Sequence, residues 1–207
     1  MKTKQNLKSF FGLFLFYFLY SSTSLKSQQN VSVAFSKSYA YEYNSDYTKA
    51  IATLTALNQD NYQINLRLGW LYYMNKDYVK SETHYKKAVA IEPSSIEARF
   101  GFVLPLSALG NWNSVLAVYL EVLKLDPNNS IANYRTASIY FNRKEYANAT
   151  TYILKVIRLY PFDYDSNLLL GKIYKAQNRI AEAKKQFEKA LEYNPQSEDA
   201  TNALKDL

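Results

Sequence analysis

The sequence predicts an all-α chain, built as a solenoid of about five antiparallel helix hairpins followed by a C-terminal capping helix. The first observation is a strict period, because four of the five prolines fall at equal steps, at Pro93, Pro127, Pro161 and Pro195. The second observation is that the residues at fixed distances before each proline repeat in size and character. A period of roughly 20–50 residues indicates stacked supersecondary units, and a step of about 34 is enough for one helical hairpin.

Small residues and aromatic residues occupy matching columns of this period. The first column before the prolines holds Gly69, Val103, Ala137 and Gly171. A second column, nearer to each proline, holds Ser81, Val115, Ala149 and Ala183, and a third, nearer still, holds Tyr85, Tyr119, Ile153 and Phe187. Helices that approach closely need a small residue at the crossing and a large one beside it. The columns therefore predict tight packing within each hairpin.

The helices of the four complete hairpins follow from the turns between them. Pro93, which cannot continue a helix, is followed by Ser94 and Ser95, either of which can cap the next one. Pro105 is an exception, because it lies inside a predicted helix and is expected to bend it. The hairpins are expected at about 62–95, 96–129, 130–163 and 164–196, with helices at 62–75, 78–91, 96–109, 112–125, 130–142, 146–159, 164–177 and 180–193.

The two ends of the array are expected to differ from its centre. Near the start, Tyr47 and Ala50 repeat the spacing of the later hairpins, but the step to the next copy is slightly shorter than the step between prolines. This predicts a first hairpin over about 31–61, with helices at 31–44 and 47–58. At the other end, Ser197 can cap a last helix at 197–206, with Glu198 near the positive end of the helix dipole. That helix is expected to cover the open face of the final repeat.

This pattern resembles the tetratricopeptide repeat, which pairs Leu-Gly and Tyr on one helix with Ala, Phe, Ala and Pro on the next. The two best copies are Leu68, Gly69, Tyr72, Ser81, Tyr85, Ala88, Pro93 and Leu170, Gly171, Tyr174, Ala183, Phe187, Ala190, Pro195. The intervening copies depart from the pattern where valine replaces a small residue. The resemblance covers residues 62–195. It implies a right-handed superhelix in which the first helix of each hairpin lines a concave groove that holds extended peptides.

The resemblance also implies which side chains face that groove. They lie off the packing stripe of the first helices, and ten of them form the expected partner-binding site: Tyr39, Tyr43, Arg67, Trp70, Tyr73, Met74, Tyr134, Arg135, Phe141 and Lys172. Tyr, Trp and Arg are the residue types in which interface binding energy concentrates. Arg67 and Arg135 recur two repeats apart, and each is expected to pair with a carboxylate of a bound segment. The alternative for each side chain is packing between neighbouring hairpins.

Members of the family that act as co-chaperones hold a partner's C-terminal carboxylate with a clamp of Lys, Asn and Arg. Leu66 and Trp70 occupy the positions where the first Lys and Asn of that clamp would fall. The resemblance therefore does not extend to binding of chaperone tails, and the identity of the partner stays open.

No catalytic constellation is present in the sequence. His84 is the only histidine, cysteine is absent, and the five glycines form no phosphate-binding loop. His84 is expected on a solvated helix face. We therefore expect no enzyme activity, no cofactor and no metal. Residues 28–207 carry 21 Lys and Arg against 18 Asp and Glu, without a basic cluster, so nucleic acid is not an expected partner.

Residues 1–27 have the order of a secretory signal peptide. Lys2, Lys4 and Lys8 precede an apolar run over 10–20, and Ser and Thr follow. This run is shorter than the roughly twenty residues that span a bilayer, so cleavage is expected, with a membrane anchor as the alternative. The Asn-, Lys- and Tyr-rich composition is typical of a Gram-negative periplasmic, outer-membrane-associated or secreted protein. A eukaryotic secretory route is the other possibility, and it would expose Asn30 and Asn148 to glycosylation.

These patterns together predict an exported, non-catalytic scaffold or adaptor that binds a peptide or protein segment in its groove. One alternative is binding of a glycan, with Trp70 and the neighbouring tyrosines stacked on sugar rings. Another is self-assembly of a structural component of the cell envelope, through exposed aromatic residues or through Leu204 and Leu207 at the C-terminal cap.

Overall fold

The computed structural model describes residues 28–207, and in that part of the chain every regular element is an α-helix. The predicted signal peptide at 1–27 lies outside the described residues. Eleven helices follow one another: α1 (28–43), α2 (Tyr47–Thr55), α3 (Tyr62–Met74), α4 (Tyr78–Ile91), α5 (Ile96–Ala108), α6 (Trp112–Leu125), α7 (Ser130–Asn142), α8 (Tyr146–Leu159), α9 (Tyr164–Ala176), α10 (Ile180–Tyr193) and α11 (Glu198–Lys205).

The predicted helices are all present, and most of their ends agree to within one or two residues. The largest differences are three residues: α1 is already helical at residue 28, before its predicted start at 31, and α2 ends at Thr55 and not at the predicted residue 58. Asn58 itself has a positive φ of 49°, which excludes it from the helix. Helix α5 continues through the buried Pro105 and ends at Ala108. A bend at Pro105 stays a prediction.

The first helix of each later hairpin, and the last helix, is capped by a side chain at a fixed position in the repeat. Each capping side chain accepts a hydrogen bond from the backbone N–H three residues later, at 2.8–3.1 Å. Such a bond satisfies a donor that the first helical turn leaves unpaired. The predicted cap at Ser197 is confirmed. The caps recur at the step of the proline column, at Asn61, Ser95, Asn129, Asp163 and Ser197.

The turn inside each hairpin passes through the left-handed region of the backbone. The φ angle is 63° at Lys76, 71° at Gly110, 61° at Lys144 and 60° at Asn178, again at the step of the proline column. In the shorter first hairpin the equivalent residue is Ser45, with φ of 59°. A residue in the left-handed conformation after a helix reverses the chain, and backbone N–H groups of the turn then donate to the last carbonyl oxygens of the helix. Glycine occupies only one of these positions, so the lysines carry backbone strain.

A second column of polar residues holds the turns between hairpins. The amide of Asn133 donates to the carbonyl oxygens of Pro127, at 3.0 Å, and Asn129, at 2.9 Å. Asn167 makes the same pair of bonds one repeat later. Arg99, at the equivalent position of an earlier hairpin, donates to the backbone of its own N-cap residue at 3.0 Å. Asn133 and Asn167 thus fasten a proline turn to the helix that follows, and Arg99 binds the start of its own helix.

The described residues fall into two compact units, of which the first ends at residue 88 and the second begins at residue 89. In the first unit, Leu54 and Leu71 are fully buried in one apolar cluster. The predicted close approach within its second hairpin is confirmed, because Gly69 lies directly against the ring of Tyr85. The hydroxyl of Ser81 donates to the carbonyl of Gly69 at 2.7 Å.

The core of the second unit is divided into three apolar clusters along the chain. Its last cluster contains the second predicted close approach, in which Gly171 lies against the ring of Phe187. Ala200 of α11 is fully buried in the same cluster, and Leu204 and Leu207 pack against it. Helix α11 therefore covers the apolar face that α9 and α10 leave open.

Candidate functional site

Within the first unit, several of the side chains predicted for the groove form one cluster on α1 and α3. The guanidinium of Arg67 stacks on the ring of Tyr39, 3.9 Å from its centroid, and forms an ion pair with Glu42. The indole N–H of Trp70 donates to the same carboxylate. Glu42 thus accepts from two side chains of α3, and the cluster fastens α1 to α3.

This arrangement revises the role expected for Arg67. Its side chain is only 9% exposed, and its charge is balanced by Glu42 on an earlier helix. Pairing Arg67 with a ligand carboxylate would leave Glu42 partly buried without its cation, which is costly. Arg67 therefore stabilises the unit, and the cation expected to hold a bound carboxylate has to be sought elsewhere.

Of the other predicted residues in the first unit, some are exposed and available to a partner, and the others pack against neighbouring side chains. Tyr43 is 91% exposed and Tyr39 is 55% exposed, so both rings offer area to a partner. Tyr73 is half-buried between Trp70 and Tyr78, with centroid distances of 6.1 and 5.7 Å. Met74, on the same helix, is also half-buried. Tyr73 therefore mainly packs against neighbouring aromatic side chains, which is the alternative considered for it in the sequence.

His84 also differs from expectation, because it is half-buried and does not lie on a solvated face. Its ring stacks on Tyr72, with centroids 5.2 Å apart and planes at 10°. Its Nδ1 lies 2.9 Å from Oδ1 of Asn65, and because that oxygen can only accept, Nδ1 carries the proton. Burial lowers the pKa of the imidazole, Lys87 lowers it further, and Asp60 acts in the opposite direction.

The second unit contains a cavity of about 560 Å³ between α5, α6 and α7. We call it the Arg135 cavity. Its volume lies within the range of about 300–1,000 Å³ that is typical of ligand pockets. Its walls are largely apolar, and its polar groups come mostly from α7. The lining residues are Val103, Leu104, Ser107, Trp112, Val115, Tyr119, Arg135, Ser138, Ile139, Asn142 and Arg143.

Arg135 has the properties that Arg67 lacks. Its side chain is exposed, and within residues 28–207 no carboxylate forms an ion pair with it. Its guanidinium lies 5.9 Å from the ring centroid of Tyr134. Tyr119 lines the same cavity; burial raises the pKa of its phenol, and the charge of Arg135 acts in the opposite direction.

Arg135 also borders a second, more open cavity of about 410 Å³ between α7, α8 and α9. Tyr134, another predicted residue, lines this cavity and is half-buried. Asp163 and Asp165 line it as well, and Asp163 uses its carboxylate to cap α9. The structure therefore brings Tyr134 and Arg135 together at the second cavity, and Arg135 alone borders both cavities.

Two predicted residues of the second unit lie away from the Arg135 cavity. Phe141 packs against Tyr146, with ring centroids 6.0 Å apart, at the edge of an apolar cluster. Lys172 is half-buried on α9. Neither residue lines the cavity. Their place in a partner-binding surface stays a prediction.

Sequence reasoning missed Trp112 and Arg143, which line the same cavity. Trp112 is 54% exposed and begins α6, a second helix, whereas the family pattern directs attention to first helices. A signal was available, because Tyr78, Trp112 and Tyr146 form a column of aromatic residues at the step of the prolines. Arg143 closes α7 and donates to Oδ1 of Asn113 at 2.6 Å, a neutral partner.

Metal sites and membrane spans have no counterpart among the described residues. Within residues 28–207, no three His, Asp or Glu side chains are grouped closely enough to hold a metal ion. Crossing a bilayer takes a helix that is both long and apolar, and this part of the chain contains none.

Models of the family described as tetratricopeptide repeat match three stretches of the chain, residues 62–95, 106–164 and 164–197. Together these stretches cover well over half of the sequence. They include all four copies of the proline column.

Curated relatives match over part of their length. The Tetratricopeptide repeat protein 21 homolog of Caenorhabditis elegans is 24% identical over 144 residues, which are 69% of this chain and 11% of that protein. The human Protein O-mannosyl-transferase TMTC3 is 27% identical over 86 residues, which are 42% of this chain and 9% of that protein. The chain thus spans about a tenth of the length of these relatives.

Solved structures match over most of the chain. A tetratricopeptide repeat protein from Parabacteroides merdae superposes with a TM-score of 0.76 at 18% identity, covering 86% of this chain and 72% of its own. MamA gives 0.72 at 19% identity, covering 81% and 93%. YrrB, described as a TPR protein with an unusual peptide-binding site, gives 0.72 at 15% identity, covering 90% and 97%.

These likenesses confirm the fold class that the sequence predicts. They agree with the repeat models, with the caps that recur once in every hairpin and with the close approaches at Gly69 and Gly171. The chain belongs to the tetratricopeptide repeat family.

Proposed function

We propose that this protein is a non-catalytic scaffold that binds a segment of a partner protein against the first helices of its hairpins. The observation that carries the proposal is the Arg135 cavity, which combines apolar walls with an exposed arginine that has no ion-pair partner among the described residues. Sites of this kind, mostly apolar with a few placed polar groups, are typical of binding pockets. Trp112 at its edge is a residue type in which interface energy concentrates.

Two further features support binding of an extended segment. The likeness to YrrB, a protein described as having a peptide-binding site, extends over 90% of this chain. In the first unit, the exposed rings of Tyr39 and Tyr43 offer rigid amphipathic area for a partner. The groove residues predicted from the sequence remain part of this proposal, with Arg67 assigned to stabilising the first unit.

A non-catalytic role is the better reading of the polar groups. The only histidine, His84, is held by Asn65 and stacked on Tyr72, which leaves it poorly placed to exchange protons with a substrate. The O-mannosyl-transferase among the relatives matches over 9% of its length, so its activity does not carry over to this chain.

The location of the protein forms a separate part of the proposal. We propose that residues 1–27 direct export and are removed, as their charged start and apolar run indicate. The test is the intact mass of the protein isolated from its host. A mass that corresponds to a start within the Ser and Thr stretch or shortly after it supports export, whereas a full-length mass in the membrane fraction contradicts cleavage.

Site-specific photo-cross-linking in the host tests partner binding. A photoreactive amino acid is placed at Asn142, which is exposed at the edge of the Arg135 cavity, and separately at Lys124, which is exposed on α6 outside it. We expect a discrete product that protease digests, formed from position 142 and not from position 124. Equal products from both positions, no product, or a protease-resistant glycan adduct would contradict the proposal.

A further inference from the structure

This inference rests on the proposed function and specifies the bound segment. We propose that the Arg135 cavity binds an extended peptide in which a large apolar residue lies between two acidic residues, each separated from it by one residue. The apolar side chain enters the cavity, and the two carboxylates pair with Arg135 and Arg143.

The charges around the cavity support this choice. Arg135 and Arg143 both line it, and no Asp or Glu is among its lining residues. Arg143 donates only to neutral groups within the described residues, Oδ1 of Asn113 at 2.6 Å and the carbonyl oxygen of Trp112 at 3.4 Å. Guanidinium groups without carboxylate partners attract carboxylates, with which they form paired hydrogen bonds.

Arg135 also meets the second cavity, where Asp163 and Asp165 are found. Neither carboxylate forms an ion pair with Arg135 in the described part of the chain. Asp163 instead accepts from the backbone N–H of Ser166 at 2.8 Å. The guanidinium of Arg135 therefore keeps its capacity to pair with an incoming acid.

The spacing of the two arginines determines the pattern. Arg135 lies on α7 and Arg143 is its C-cap residue, so the two positions are about 12 Å apart along a helix that rises about 1.5 Å per residue. That spacing leaves room for a separate carboxylate at each arginine. In an extended chain, residues i and i+4 are about 13 Å apart and point to the same side, together with residue i+2. Acids at i and i+4 therefore match the arginines.

The surface between the arginines matches the central residue. Leu104, Trp112 and Ile139 contribute apolar wall, and the volume of about 560 Å³ is large enough for an aromatic or long aliphatic side chain. Because Trp112 is 54% exposed, a ring placed there would cover apolar surface that water now contacts. The central position of the segment is therefore apolar and large.

The chain contains two tryptophans, which provide both a reporter and an internal reference. Trp112 lines the cavity, whereas Trp70 belongs to the first unit and donates to Glu42. Full-length protein labelled with 5-fluorotryptophan gives two fluorine resonances, assigned by Trp112→Phe. The titrant is the acetylated and amidated peptide Gly-Asp-Ser-Phe-Ser-Asp-Gly, whose blocked ends confine the negative charge to the two aspartates.

We expect a saturable shift of the Trp112 resonance while the Trp70 resonance stays in place. Replacing either Asp of the peptide by Asn is expected to weaken binding about fivefold, the effect of one exposed ion pair. Replacing Phe by Gly is expected to abolish the shift. Arg135→Gln and Arg143→Gln are each expected to weaken binding of the parent peptide about fivefold. Each is also expected to reduce, without abolishing, the ratio between the affinity for the parent peptide and the affinity for the peptide in which both Asp are replaced by Asn.

The proposal is overturned if the Trp112 resonance does not move, if the Asp and Asn peptides bind equally, or if both arginine variants keep the full preference for Asp. The helical circular dichroism and the melting temperature of each variant, compared with those of the parent, show in each case whether the second unit is still folded. If cross-linking from position 142 yields a protein while this titration fails, the proposed function stands and the peptide pattern is wrong. If both fail, the binding function itself is wrong.

Discussion

The ring of Tyr85 lies 2.8 Å from the point at which Gly69 would carry a β-carbon. That distance is shorter than any ordinary carbon–carbon contact, so α3 and α4 can pack in this way only while residue 69 has no side chain. Both partners are buried, and the ring cannot move away without opening the core of the first unit.

The first prediction concerns this contact. We expect Gly69→Ala to lower the free energy of unfolding by about 1–3 kcal/mol, because the added methyl group overpacks the core. The direction is informative, since replacing glycine by alanine inside a helix otherwise stabilises it by roughly 0.5–1 kcal/mol. Urea denaturation gives the value. In the background of Tyr85→Leu the same substitution should cost less, and equal costs in the two backgrounds would contradict the contact.

The second prediction concerns the left-handed residues inside the hairpins. Lys144→Gly is expected to raise the free energy of unfolding by roughly 0.5–1 kcal/mol, because glycine adopts φ of 61° without strain. Gly110→Ala is expected to lower it by a similar amount, and no atom within 4 Å would meet the new methyl group, so the effect is purely in the backbone. Thermal unfolding of both variants should show shifts of opposite sign.

The third prediction concerns the asparagines that hold the turns. Asn133→Ala is expected to lower the free energy of unfolding by about 1–3 kcal/mol, because it removes the donor to the carbonyls of Pro127 and Asn129. The matched control is Asn128→Ala, an exposed position in the same turn, which should change stability by less than about 0.5 kcal/mol. Equal effects of the two substitutions would show that the turn is not held by this side chain.

The fourth prediction separates the two arginines that looked equivalent in the sequence. Arg67→Ala is expected to lower the free energy of unfolding by about 1.5–3 kcal/mol, because Glu42 loses its charged partner. Arg135→Ala is expected to leave stability within about 0.5 kcal/mol of the parent, because its side chain is exposed. The double variant Glu42→Leu, Arg67→Met should be more stable than Arg67→Ala, since no charge is left unpaired. Denaturation curves followed by tryptophan fluorescence give all three values.

The fifth prediction concerns pH. Burial holds the pKa of His84 below its ordinary value of 6.5, so the unfolded chain takes up the proton at higher pH than the native protein does. The stability that His84 contributes is therefore fully present above pH 6.5. It is lost as the pH falls from 6.5 toward the lower pKa of His84 in the native protein. Urea denaturation between about pH 7.5 and pH 5.5 should show the decrease. In His84→Gln the decrease over this interval should be smaller, and an unchanged decrease would assign it to other groups.

The sequence predicted the helices, the two close approaches and the cap at Ser197 because these features depend on residues close together within one repeat. Gly69 and Tyr85 belong to the same hairpin, and their spacing recurs at Gly171 and Phe187. Repetition therefore supplied the contact information that a single sequence otherwise lacks.

The features that the sequence did not predict depend on side-chain contacts that the spacing of the repeats does not indicate. Glu42 and Arg67 belong to different hairpins, so nothing in the spacing showed that the arginine already has a partner. Asn133 lies inside a helix, where asparagine is an indifferent residue, and its use became clear only when the turn carbonyls were seen beside it. His84 was misjudged although its partner Asn65 lies in the same hairpin, because this pair occurs in one repeat and does not recur at the step of the prolines.

The capping residues have a consequence for how such a chain changes in length. Because Asn129 starts one hairpin and Asp163 starts the next in the same manner, a block one repeat long carries its own joint at each end. Duplicating residues 130–163 in place would join Asp163 to a new Ser130 through the same kind of turn that already exists there. The copy would bring a second Arg135 and Arg143 with it. A chain of this kind can therefore be lengthened by whole hairpins, and each added hairpin brings a further binding position. The turn that joins it to its neighbours is one that the chain already contains.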